Sequence, residues 1–63
     1  MKTATIFDYR FSHPIKHRFE LGENGDFETP SEFMRWAESL YGVSTKITDR
    51  FYQLTPSIFC ELL

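Results

Sequence analysis

Thr29-Pro30-Ser31-Glu32 fixes the start of a helix, and that helix limits what the rest of the chain can form. Thr29 offers an oxygen to the first free N–H groups. Pro30 stands at the first helical position, where a missing N–H does no harm. Glu32, three residues after the cap, is spaced to reach back to the cap's own N–H. Phe33, Trp36, Ala37 and Leu40 then follow at i, i+3, i+4 and i+7, the spacing of one apolar helix face. Gly42 supplies the stop, so the spacing predicts a helix over 30–41. Met34 and Tyr41 flank its stripe, and Glu32, Arg35, Glu38 and Ser39 fall on the solvent side.

The segments around the helix read as strands. In 3–11, Thr5, Phe7, Tyr9 and Phe11 share one parity and Ala4, Ile6, Asp8 and Arg10 the other. The heavier aromatic parity is the expected core side. Ser12-His13-Pro14 breaks the run. Residues 15–21 alternate again, with Ile15, His17, Phe19 and Leu21 against Lys16, Arg18 and Glu20. The two runs suggest a hairpin. Gly22-Glu23-Asn24-Gly25-Asp26 then reads as a turn from sheet to helix.

Residues 43–54 suggest a third strand, with Val43, Thr45, Ile47 and Phe51 on one parity and a bulge or bend near Asp49. Thr55-Pro56-Ser57 repeats the helix-start chemistry, so a short terminal turn or helix is expected, carrying Ile58, Phe59, Leu62 and Leu63. The expected fold is therefore α+β, a single domain over 1–63. It is a three-stranded antiparallel sheet of order 2-1-3 (β-β-α-β) with one helix on one face. Its expected core is Phe7, Tyr9, Phe19, Phe33, Trp36, Leu40, Ile47 and Phe51.

Size limits function. A chain of 63 residues buries only about 60% of the surface it exposes unfolded, so its aromatic content must build the core. There are seven Phe, three Tyr and one Trp, each ring burying roughly 150–250 Å². Rings that do not fit inside suggest a partner or self-association. The lone Cys60 forms no internal disulfide and reads as a small buried apolar residue. No signal peptide or membrane-spanning run is legible. These features set the expectation of a cytoplasmic chain with no membrane role, on the scale of bacterial or phage accessory proteins.

Charge is uneven. Residues 1–18 carry Lys2, Arg10, Lys16 and Arg18 against Asp8, whereas 19–42 carry six carboxylates against Arg35; the whole chain is −2. No cofactor, metal or catalytic constellation is legible. His13 and His17 flank Pro14 on extended chain, where four residues span about 13 Å and do not share one ion. Cys60, the histidines and the aspartates show no triad spacing, and Gly22, Gly25 and Gly42 form no phosphate loop. An enzyme is not expected.

What remains is a small non-catalytic protein-binding module, an inhibitor or adaptor that occupies the surface of a larger protein. Arg10, Lys16, Arg18, Lys46, Arg50 and Tyr52, with Glu32 and Glu38 on the helix, are the candidate contact residues. The first alternative is single-stranded nucleic-acid binding by a basic open sheet face bearing those cations and Tyr52. The second is an acidic nucleic-acid mimic built on the Glu20–Glu38 run. A homodimer or hetero-complex through the outer edge of strand 43–54 is also expected.

Overall fold

The computed structural model describes residues 2–63. Its elements are β1 (Lys2–Asp8), β2 (Ile15–Leu21), α1 (Pro30–Tyr41), β3 (Thr45–Lys46), β4 (Phe51–Thr55) and β5 (Ile58–Leu62). They form one five-stranded sheet of order β2-β1-β5-β4-β3, antiparallel at every pairing. The α+β class and the β1–β2 hairpin match the expectation. The three-stranded sheet does not.

Two segments account for the difference. Residues 43–54 are not one bulged strand. They fold back at 47–50 into the β3–β4 hairpin, where Thr48 Oγ1 accepts from Phe51 N at 3.1 Å and Ile47 N donates to Phe51 O at 2.9 Å. The tail is not a helix. Pro56-Ser57 turns the chain, and Ile58–Leu62 enters the sheet between β1 and β4. Pro at the start of a turn has the same fixed φ that suits a helix start, so one local signal served two structures. The edge of 43–54 proposed for docking is consequently interior: β4 lies between β5 and β3, and only Thr45–Lys46 runs outside it.

The helix forms as expected at both ends. Thr29 Oγ1 accepts from Glu32 N at 3.2 Å, and Gly42, at φ +122°, donates to Glu38 O at 2.9 Å. Glu32 reaches one residue further back than a capping box requires, accepting from Glu28 N at 3.1 Å. The buried face is rotated from the expected stripe. Phe33 and Ala37 are buried and Met34 and Tyr41 pack beside them, while Leu40 is 57% exposed.

Ala4, Ile6, Leu21, Phe33, Ala37, Leu54, Ile58 and Cys60 form the core between sheet and helix. β1 therefore presents Ala4 and Ile6 to the helix, the opposite parity to the one expected. The reason is volume. Phe19, Phe27, Phe33 and Trp36 make a cluster in which all ring pairs lie 5.2 to 6.1 Å apart. Ala4 stands directly across from Phe19 in the register, and a small residue there leaves room for those rings. Phe19, Phe33 and Trp36 belong to the interior as expected. Phe7, Tyr9 and Phe51 lie on the other face, and Leu40 and Ile47 are exposed. The loop after β2 is locked by Asp26, whose N donates to Glu20 O at 2.8 Å and whose carboxylate accepts from Glu20 N at 2.9 Å. Gly25 makes this close approach feasible, since a Cβ there would sit 2.8 Å from the Glu20 carbonyl carbon.

Cys60 is fully buried on central β5, with its sulfur 3.7 Å from that of Met34. Burial, and after it the negative charge of Glu38, push its thiol up to about 11. A thiol reagent at about pH 8 should label the native chain at least about 100-fold more slowly than the urea-unfolded chain, because thiolate and access both require opening. Equal rates would remove β5 from the sheet centre.

Candidate functional site: the open face of the sheet

Paired residues in a sheet share a face, so the register states what the helix leaves uncovered. One row across the strands runs Lys16–Phe7–Phe59–Gln53. The next runs Arg18–Thr5–Glu61–Phe51. Tyr9 extends β1 beyond these rows, held by Tyr9 N donating to Ser57 O at 2.8 Å. Four rings meet on this face. Phe51 and Phe59 stack at 5.5 Å and 12°, Phe7 lies 6.3 Å from Phe51, and Tyr9 meets Phe59 edge-on at 5.8 Å.

Cations border the rings on the β2 side. Lys16 Nζ lies 5.8 Å from the centre of the Phe7 ring, within cation–π range. Thr3, Thr5, Phe7, Lys16, Arg18 and Leu63 line a shallow concavity of about 290 Å³. It brings one ring, two threonines and a leucine together with two cations. Among the described residues neither Lys16 nor Arg18 is ion-paired. Glu20 and Glu61 stand on the same face by register, so the surface is polarised rather than basic.

The other candidate contact residues are elsewhere. Arg10 is bound to Asp8, with Nη2 2.7 Å and Nε 3.0 Å from the carboxylate. Lys46 pairs with Asp49 at 3.4 Å and, opposite Tyr52 in the register, points to the helix side. Tyr52 itself packs on the core. Arg50 is exposed in the turn before β4, its carbonyl accepting from Leu62 N at 2.7 Å. Glu32 serves the helix start. Glu38 accepts from Ser44 N and Oγ, both at 2.8 Å. Of the sequence-derived contact set, the structure brings only Lys16 and Arg18 together on this face.

Phe7, Tyr9 and Phe51, expected in the core, stand on this face instead, as do Phe59 of the expected terminal turn and Glu61. The alternation Ile58-Phe59-Cys60-Glu61-Leu62 is the signal that places the last two, since Ile58 and Cys60 are fully buried and Phe59 and Glu61 face outward. Among the described residues no cluster of His, Cys, Asp and Glu could hold a metal ion, and no helix is long and apolar enough to cross a membrane. No protein-family model matches the sequence, and comparison with curated proteins and with solved structures returns no match.

One ion pair anchors the loop beside this face. Asp8, at the end of β1, has a side chain only 5% exposed. Its carboxylate accepts from Arg10 N at 3.0 Å as well as from the guanidinium. The Arg10 side chain, then the Arg10 backbone N–H, hold the Asp8 carboxyl below its ordinary 3.8. A carboxyl depressed on folding adds stability above its unfolded pKa, and loses it as pH falls through the folded value. Urea midpoints should thus hold from pH 7 to about pH 4 and fall below it. Arg10→Ala should be less stable at neutral pH and show a smaller acid-induced fall. An acid profile unchanged by Arg10→Ala would show that other carboxylates govern it.

Proposed function

We propose that this chain is a non-catalytic protein-binding module, an adaptor or inhibitor that acts in the cytoplasm by meeting other protein with the open face of its sheet. The supporting observation is the ring cluster Phe7, Tyr9, Phe51 and Phe59 on the face opposite the helix, which no helix or strand among the described residues covers. An antiparallel sheet with one solvated face ordinarily carries polar residues outward. Aromatic rings flanked by a few unpaired charges are instead the composition of an interface centre and its rim. Occupying a surface requires no nucleophile or metal.

Single-stranded nucleic acid is the second reading, favoured by Lys16 over Phe7 beside the stacked Phe51 and Phe59, since bases stack on such rings. Protein ranks first on charge. Arg10 and Lys46 are spent on internal pairs, Glu20 and Glu61 share the face, and the chain is −2. A polyanion needs a stronger basic track. The acidic-mimic reading draws least support, because Glu32 and Glu38 are engaged in hydrogen bonds that hold the ends of α1.

Phe59→Ser tests the reading. Its ring lies outside the helix-side core, so the variant should still unfold cooperatively, with a melting temperature lowered by the loss of its contacts to Phe51 and Tyr9. Specific proteins captured from a bacterial lysate by the parent chain should be lost by the variant. A salt-sensitive shift of an oligo(dT) probe, abolished by Lys16→Ala with Arg18→Ala, would replace the protein reading with the nucleic-acid one.

A further inference from the structure

The open face is complementary to itself, and we infer that its occupant is a second copy of this chain. The inference rests on the reading of this face as a protein-docking surface and names what docks there. Consider a two-fold axis parallel to the strands, midway between two facing sheets and over the gap between β1 and β5. It sets β1 against β5 of the other copy and β2 against β4. Residues of one row then meet the same row in reverse order. Lys16–Phe7–Phe59–Gln53 places each Phe7 on a Phe59 and each Lys16 on a Gln53 carbonyl. Arg18–Thr5–Glu61–Phe51 places each Arg18 over a Phe51 ring and each Thr5 hydroxyl at a Glu61 carboxylate. Glu61 is also the strand neighbour of Phe51, so its carboxylate comes within reach of the same guanidinium. No like charges oppose one another in either row, and both contacts of every type occur twice, as an isologous interface demands.

Edge pairing is the competing route to a dimer, and the structure limits it. The end of the β2 edge is closed by Asp26, which takes both the N–H and the carbonyl of Glu20. The rest of that edge carries Lys16 and Arg18, which discourage strand addition. At the other edge β3 offers two residues. Four strands about 4.8 Å apart and about six residues long present roughly 20 by 20 Å, about 400 Å² per copy. That is below the roughly 800 Å² per partner of a standard interface, so the dimer is weak and forms only at high protein concentration. A larger protein that uses the same face competes with it.

Sedimentation velocity from about 1 μM to about 1 mM, with a melting curve for each variant, decides the matter. The parent chain should pass from monomer to dimer. Arg18→Glu and Glu61→Arg should each weaken the dimer at least about tenfold, and the two together should restore it to within about threefold. Should either variant fail to fold, Lys16→Glu and Gln53→Lys, singly and combined, make the same cross-copy test. A monomer at about 1 mM, a dimer indifferent to Arg18→Glu, or a double variant no stronger than the singles overturns the inference. A monomeric parent whose lysate capture still depends on Phe59 would overturn the dimer alone. A monomer with no such capture would overturn the docking reading as well.

Discussion

Pairing of the first strand with the last governs this structure. β5 lies against β1 from Ala4–Leu62 to Asp8–Ile58, and Leu63 N donates to Thr3 O at 2.8 Å beyond it. The sheet centre is thus made from residues far apart in sequence. Closing so long a loop costs entropy that local hairpins do not. Buried Ile58 and Cys60 on β5, and Ala4 and Ile6 on β1, offset it. β4 joins β5 through the Pro56 turn, and β3 joins β4 through the turn at 47–50. The helix has one apolar floor on which to lie.

That pairing also sorts the aromatic residues. The chain has more rings than one small core accepts, and the fold divides them between two faces. Phe19, Phe27, Phe33 and Trp36 fill the space over Ala4. Phe7, Tyr9, Phe51 and Phe59 gather on the opposite side. The second cluster stays partly wetted. Burying it would gain roughly 25 cal/mol for each Å² of apolar surface removed from water, a standing drive toward a partner. In the proposed docking, the concavity by Phe7 and the charges of Lys16 and Arg18 are where a partner would be steered.

Local chemistry was legible and long-range placement was not. Thr29, Pro30 and Gly42 specify the helix because capping is settled within a few residues. The β1–β2 hairpin was legible from two alternating runs. The face of β1 was not, because alternation says that two faces exist and not which one the helix covers. Bulk pointed to Phe7 and Tyr9, whereas the space beneath Phe33 required Ala4 and Ile6. Thr55-Pro56-Ser57 carried the same letters as the helix start, and only the slot beside β1 decides that strand follows turn. For the site, Lys16 and Arg18 were legible from their parity on β2. Arg10 and Lys46 were not separable from them, since the Asp8 and Asp49 partners emerge only from geometry.

Everything proposed for the open face depends on β1 turning Ile6 inward and Phe7 outward. Chemical unfolding of Ile6→Ala and Phe7→Ala, below the concentration of any self-association, measures this directly. Ile6 is 1% exposed beneath the helix, so its truncation should cost about 2–5 kcal/mol. Phe7→Ala should cost less than half as much as Ile6→Ala, although it removes the larger side chain. A Phe7→Ala loss larger than that of Ile6→Ala would place the aromatic parity in the core and contradict the account.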